Sequence, residues 1–312
     1  MRTIFLLVLL LATSLFSWGQ DYDFSKVDAT VTFYSDQFRT TQEVSNQIKQ
    51  DFSQPQDQLR AAYTWIIRNI AYDPEEYLTY QFQYRELAER DSKLASTRED
   101  IIKRTMYGKT AVCEGYALAL ERICEELGIN AYVVRGDVKR DVTDIGRPFE
   151  KNHMWLIAIV NQKPVIMDPT WGAGRFIESF QREPSYAFYD VKPEHFLKTH
   201  YPEVFDDTYV DVPISQDSFS KWPLIIPENV QLDDIQPKNG ILKYKDLKNG
   251  IDFSLSVKPE KTLLYTFDDG VMREAKIVKE GDALSFFIRT KSRTSRVVIF
   301  DGNKPLVAYL VN

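Results

Sequence analysis

Gly-Lys-Thr-Ala-Val-Cys-Glu-Gly-Tyr-Ala at 108–117, Asn-His-Met-Trp at 152–155 and Met-Asp-Pro-Thr-Trp-Gly at 167–172 decide how the chain is read. The first stretch opens a helix. Ala117, Leu120, Ile123, Cys124 and Leu127 recur at helical spacing, and Gly128 is placed to end the run in the left-handed region. Thr110 is positioned to cap the free amides of a first turn that contains Cys113. There the positive end of the helix dipole favours a thiolate, and a neighbouring imidazolium would favour it further. Cys124 falls three turns on, about 16 Å away along the axis at about 1.5 Å per residue. A disulfide needs Cα atoms within about 7 Å, so the two cysteines of the chain cannot pair within it.

The second and third stretches form a hairpin whose register can be worked out. If Val160 pairs with Lys163 across a two-residue turn at Asn161-Gln162, then Asp168 falls opposite Trp155 and diagonal to His153. Alternation along the strand puts His153 and Trp155 on one face, so His153 and Asp168 come within side-chain reach. A turn longer by one residue would separate them. Pro164 fits this register, because it falls at a non-hydrogen-bonded pair where its missing N–H removes no ladder bond.

Cys113, His153 and Asp168, in that order and in these contexts, resemble the transglutaminase-like superfamily. The likeness is to its bacterial secreted and kyphoscoliosis-peptidase-like branch. It rests on Val-Cys-Glu-Gly-Tyr-Ala, Asn-His-x-Trp and Asp-Pro-Thr-Trp-Gly, with Trp-Ile-Ile-Arg-Asn-Ile-Ala-Tyr-Asp at 65–73 upstream and Lys-Pro-Glu-His-Phe-Leu-Lys-Thr-His-Tyr-Pro at 192–202 downstream. It extends over residues 55–205. Leu156 stands where the pattern usually has asparagine, and Lys163-Pro164-Val165 replaces a more usual Lys-Trp-Tyr; all three triad positions are kept. The resemblance implies an α+β, papain-like core of N-terminal helices, with a cysteine helix packed on an antiparallel sheet. It also implies a Cys-His-Asp triad acting on peptide or side-chain amides, as a peptidase or amidase if water resolves the acyl-enzyme and as a transglutaminase if an amine does. A domain of this kind that has lost activity and serves as a scaffold or binding module is the alternative of a different class.

Residues 1–19 read as a secretory signal: Arg2 precedes an apolar run, and Ser17-Trp18-Gly19 offers a small-x-small cleavage site. A membrane anchor would need about 20 apolar residues, and Thr13, Ser14 and Ser17 interrupt this run. The expected location is therefore secreted or periplasmic, with no membrane insertion after cleavage. Lys and Arg total 39 against 45 Asp and Glu, a formal net charge of −6 without a basic cluster, which argues against nucleic-acid or anionic-membrane partners. Residues 20–214 are expected to form the catalytic domain, 215–237 a linker, and 238–312 a β-sandwich of immunoglobulin-like scale. The last rests on the alternating run Ile251, Phe253, Leu255, Val257 and on turn signals at Asn249-Gly250, Asp269-Gly270, Gly281-Asp282 and Asp301-Gly302. This module has two readings of equal weight: it binds a surface or protein partner, or it packs on the catalytic domain.

In the catalytic region, Val27–Tyr34 reads as extended and Thr40-x-x-Glu43 as a capping box. A helix runs from Pro55 to about Tyr72, Glu75–Arg90 reads as a solvated helix, and Thr97-x-x-Asp100 caps a further short one. Ala131–Arg135 reads as a strand, 137–151 as a polar loop overhanging the cleft or a frayed hairpin, its charges solvated or, just before His153, selecting substrate, Tyr186–Tyr189 as a returning strand, and Pro193 as a helix start. His195 and His200, five apart, lack metal-ligand spacing and read as packing or surface residues. No metal and no cofactor is expected, and no acidic loop is spaced for calcium.

Overall fold

The computed structural model describes residues 22–76, 87–226, 232–256, 261–279 and 283–312. The leader reading at 1–19 and most of the helix read at 75–90 lie outside them. Among the described residues no helix is long and apolar enough to cross a membrane.

The chain begins with helix α1 (Ser25–Val31) where an extended segment is expected. Val27 and Val31, four apart, are both buried in the helical core, and that packing outweighs the weak helix propensity of β-branched residues. Helix α2 (Thr41–Asp51) starts on the expected capping box, with Thr40 accepting from the Glu43 amide and Glu43 reaching back to the Thr40 amide. Helix α3 (Pro55–Asn69) has proline at its first position and buries Leu59, Tyr63, Trp65, Ile66 and Ile67. It ends three residues before Tyr72, because the chain must straighten into strand β1 (Ala71–Tyr72).

Helix α4 (Leu87–Gly108) runs through Thr97, which caps nothing; its hydroxyl bonds back to the Lys93 carbonyl, four residues earlier. Strand β2 (Thr110–Ala111) then pairs in parallel with β1, which removes Thr110 from the capping role assigned to it. Helix α5 (Cys113–Leu127) follows at once, with Val112 at its N-cap and no side chain capping its amides. Gly128 closes it at φ +75°, a conformation costly for any residue with a Cβ.

The catalytic-region sheet is built from β3 (Asn130–Val138), β4 (His153–Val160), β5 (Lys163–Met167) and, after a detour, β8 (His200–Pro202). Its order is β5-β4-β3-β8 and every pairing is antiparallel. The hairpin takes the expected register: Val160 faces Lys163 and Leu156 faces Met167, with Asn161 and Gln162 at φ +52° and +64°. Strand β4 is apolar almost throughout because both of its faces are covered. Leu156, Ala158 and Val160 join the helical core, while Trp155 and Ile157 pack on the far side with Phe188, Val191 and Phe196. Each such large side chain contributes about 1.5–3 kcal/mol through its burial.

The detour differs from expectation. Asp168 leaves the strand to cap a short helix, α6 (Pro169–Ala173). A small hairpin, β6 (Gly174–Phe176) with β7 (Phe180–Arg182), follows, and Tyr186–Tyr189 forms a turn, not a strand. One backbone bond, from the Asp168 amide to the Phe188 carbonyl, ties that turn to the sheet. Helix α7 (Pro193–Phe196) starts on its proline as read.

Residues 137–151 are solvated only in part: Arg140, Asp141, Glu150 and Lys151 are exposed, while other charges of the segment are buried. Strand β3 extends to Val138, Asp137 is buried under a two-pronged Arg147 contact at 2.6 and 3.0 Å, and Lys139 donates to the Phe219 carbonyl over the Phe219 ring. Burial pulls the Lys139 amine down to about 7.

The C-terminal part holds two facing sheets. Leu224–Ile225, Ile241–Leu242, Leu263–Thr266, Arg273–Glu274, Arg296–Asp301 and Lys304–Val311 form one; Asp233–Gln236, Ile251–Ser256, Ile277–Lys279 and Leu284–Ile288 form the other. Between them Phe253, Leu255, Phe286 and Ile288 meet Val297, Ile299, Val307 and Tyr309. Strands Leu224–Ile225 and Asp233–Gln236 fall inside the stretch read as a linker, so those residues take part in the sheets.

Candidate active site

The three residues singled out from sequence come together at one end of the β3–β4–β5 sheet. Cys113 is the first residue of α5, partly exposed, and its own N–H is among the four that a helix leaves without an intrahelical acceptor. No side chain caps that end. Cys124 lies fully buried about three turns further on, and burial pushes its thiol up to about 12; neither cysteine is in a disulfide.

His153 opens β4 and is fixed from behind. Asn152 beside it accepts from the Val138 amide at 3.0 Å and donates to the Val138 carbonyl at 3.0 Å, pinning the start of the strand to β3. The ring sends Nε2 to Asp168 Oδ2 at 2.7 Å. With Nε2 taken, Nδ1 is the nitrogen left for the hydrogen bond with the Cys113 side chain. Burial opposes charge on this ring, yet the Asp168 carboxylate and the Cys113 contact outweigh it and hold the imidazole up at about 10.

Asp168 is fully buried and completely partnered. Oδ1 accepts from the amides of Thr170 (2.8 Å) and Trp171 (3.1 Å), and Oδ2 accepts from two histidines, His153 at 2.7 Å and His200 at 3.1 Å. Burial alone would raise this carboxyl; the two rings, His153 first, hold it well below the usual carboxylate range. Capping α6 and facing His153 are therefore done by opposite oxygens of one side chain.

His200 is the residue that the sequence reading misplaced. It is neither a surface residue nor plain packing: it is 1% exposed, bonded to Asp168, and its ring nitrogen Nδ1 lies 2.7 Å from Thr199 Oγ1. The ring stacks on Phe196 with centroids 3.9 Å apart, and Trp171 and Trp155 close it in at 4.5 and 5.1 Å. The available signal was Thr199-His200-Tyr201-Pro202 at the end of the motif region, but β8 has only three residues and its pairing with β3 is not visible as periodicity. His195 points elsewhere, toward Asp233 at 3.3 Å. Trp171 packs on Phe188 and stands 5.6 Å from the His153 ring.

His153, Asp168 and His200 also form, among the described residues, the one group whose donor atoms lie close enough together to hold a metal ion, within 4.8 Å of one another. The donors fit such an ion poorly. Both Nε2 atoms are already turned onto one carboxylate oxygen, and the other oxygen is taken by two amides, so a cation would have to displace hydrogen bonds that are already made.

A cleft of about 680 Å³ opens over Cys113 and His153. Tyr72, Trp171, Phe176 and Phe188 give it aromatic walls, Arg140 brings positive charge, Arg175 and Glu183 line it as an ion pair, and Leu224 and Ile226 from the start of the sandwich region border it. The Tyr72 phenol is pushed up, first by burial and then by the nearby Cys113, so it stays protonated at neutral pH.

No family model matches the chain. It is 24% identical over 186 residues to the kyphoscoliosis peptidase of Mus musculus, covering 58% of this chain and 26% of that protein. Against the kyphoscoliosis peptidase of Homo sapiens it is 24% identical over 153 residues, 47% of this chain and 21% of that one. The chain thus spans about a quarter of the length of the curated relatives it matches. Two solved structures align with it: one described as a TGase, at 17% identity over 55% of this chain and 38% of that chain, and one described as a putative cysteine protease from Cytophaga hutchinsonii, at 16% identity over 48% and 43%. Both superpose with a TM-score of 0.29, too loose to carry a statement about this chain.

Proposed function

From the premise that the chain is related in sequence to the transglutaminase-like superfamily, we propose that it is a thiol-dependent acyl-transfer enzyme acting on peptide or side-chain amides, with Cys113, His153 and Asp168 as its catalytic residues. The observation that carries this reading is the 2.7 Å bond from His153 Nε2 to a buried, fully partnered Asp168, with the ring's other side turned to a cysteine at an uncapped helix start.

In this mechanism the Cys113 thiolate attacks the amide carbonyl carbon, and the oxygen takes up the negative charge against the Cys113 N–H. Collapse breaks the C–N bond, and the His153 imidazolium gives its proton to the departing amine. A thioester remains. Water then attacks it, His153 takes the water's proton, and release of the acid returns the thiol. Asp168 holds the ring in orientation and stabilises its charge without taking the proton. The peptidase names of the curated relatives support water as the acceptor; an amine entering the same cleft would give transamidation. Export through residues 1–19 would place this chemistry outside the cytoplasm, and the sandwich region would present the cleft to a protein or surface partner.

The test is to incubate the protein with a mixture of synthetic glutamine-containing peptides, with and without a primary amine, and read the products by mass spectrometry. Cleavage or conversion of an amide to an acid, abolished in Cys113→Ala, is the expected result. Amine adducts alone would move the reading to transamidation, and peptides left intact under every condition would favour a scaffold.

A further inference from the structure

We propose that His200 is a positioning residue for this site: its neutral imidazole donates Nε2–H to Asp168 Oδ2 and fixes the carboxylate in the orientation that His153 needs. The inference rests on the thiol-enzyme reading and extends it by one residue.

Two histidine rings, 5.6 Å apart between centroids, share one carboxylate oxygen in a pocket where Asp168 is 0% and His200 1% exposed. Two cations there would repel each other with little water to screen them, and one carboxylate cannot neutralise both. One ring must stay neutral, and their outer nitrogens decide which. His153 turns its outer nitrogen to a thiol, which can lose a proton and leave an anion beside an imidazolium. His200 turns Nδ1 to the Thr199 hydroxyl, which cannot. The Asp168 carboxylate can only accept, so the contact at 3.1 Å requires the His200 proton on Nε2, and a neutral ring then takes the Thr199 hydroxyl proton on a bare Nδ1 at 2.7 Å in place of the Phe196 carbonyl at 3.2 Å. Stacking on Phe196 and enclosure by Trp171 and Trp155 remove the water that a charged ring would require. In keeping with this, burial draws His200 down to about 4 against the pull of Asp168.

The consequence is a carboxylate held by four bonds, two on each oxygen. A charge on His200 would compete with His153 for Asp168; a neutral donor steadies the aspartate and leaves the ion pair to His153. Besides these two rings, the titratable groups that sense Asp168 are the phenols of Tyr63 and Tyr116, both buried and driven upward, hence neutral.

The first test uses the unmodified protein: side-chain nitrogen–proton NMR of its three histidines between pH 5 and 8. His200 is expected as a neutral Nε2–H tautomer throughout that range; a cationic His200, or one protonated on Nδ1, would overturn the proposal. The second follows iodoacetamide alkylation of Cys113 with pH in His200→Phe, which keeps the ring and loses the donor, and in His200→Gln, whose amide can donate. The expectation is a rate lower by about tenfold or more at pH 5–6 in the Phe variant, the loss tied to one hydrogen bond to a charged group. The acid edge should move to higher pH, and the Gln variant should recover most of the rate. A Phe variant that reproduces the native profile, or a Gln variant as impaired as the Phe variant at equal melting temperature, refutes a donor role. Should the Phe variant not fold, the NMR result decides alone. If Cys113 of the native protein is no more reactive than an ordinary thiol, the thiol-enzyme reading fails, whereas the tautomer of His200 is still read directly.

Discussion

At the scale of single residues, the site places two histidines on one carboxylate oxygen with opposite protonation. His153 is held up at about 10, so its contribution to stability is complete below its unfolded value of about 6.5 and is lost as pH rises through 10. His200 is drawn down to about 4, so its contribution is present above about 6.5 and is lost as pH falls toward 4. Asp168, lowered as well, adds to the loss on the acid side. Stability to urea should therefore peak near neutrality and fall on both sides. The His200 share of the acid-side fall is on the order of 3 kcal/mol, and it should disappear in His200→Gln. Unfolding midpoints measured from pH 4 to 10 check this. An acid limb unchanged in the variant would show that His200 is not held neutral by the fold.

At the scale of elements, the site depends on the starts of β4 and β8, the end of β5 and the start of α5 meeting at a common place. Cys113 and His153 were legible because a long amphipathic helix and a two-residue hairpin turn both leave clear periodic signals, and the register that follows from Asn161-Gln162 is the observed one. Asp168 was legible in position but not in geometry. Nothing in a period-two pattern announces that the chain turns from strand to helix at that residue and uses one oxygen to cap it. His200 was missed because β8 is three residues long and reaches β3 only after the turn at 186–189, so long-range pairing, not local pattern, brings it in. Thr110 and Thr97 were misread for the opposite reason, since cap-like residues here sit within a strand and a helix interior.

The pairing of β8 on β3 depends on Gly136, where an added Cβ would stand 2.2 Å from the Tyr201 carbonyl oxygen and 2.4 Å from the Trp155 ring. Gly136→Ala should cost about 1–3 kcal/mol of stability, as overpacking does, and should push away the strand that carries His200. Chemical denaturation measures the first effect, and loss of the His200 imidazole signal at its native position reports the second. A variant as stable as the parent, with His200 unmoved, would mean that the two strands can part locally at no cost.

At the scale of the whole molecule, the C-terminal sheets are not a free appendage. Leu224 and Ala308 pack with Val142 and Ile145 of the segment that leads to His153, and Gly146 donates its amide to the Ser220 carbonyl. Leu224 and Ile226 also edge the cleft, so the sandwich region shapes what can approach Cys113. Composition showed that a β-rich module follows residue 215, because alternation and turn residues are local. Its strands at 224–225 and 233–236 were hidden in a proline-rich stretch whose pairing partners lie up to 84 residues away, Leu224 facing Ala308. The segment 137–151 looked solvated because it is charged; Asp137, Asp144 and Arg147 instead satisfy one another beneath that module.

The central claim is that Cys113 and His153 form an activated pair held by Asp168. Its most direct measurement is the rate of iodoacetamide alkylation of the native protein as a function of pH, with the modified cysteine identified by mass mapping and with Cys113→Ala and His153→Ala alongside. The account predicts selective modification of Cys113 well below pH 8.5, where an ordinary thiol of pKa about 8.5 is largely protonated. The adduct should be absent in Cys113→Ala, and the reactivity at low pH should be lost in His153→Ala, while buried Cys124 stays unmodified. A Cys113 that titrates as a free thiol, or whose low-pH reactivity survives the removal of His153, would contradict it.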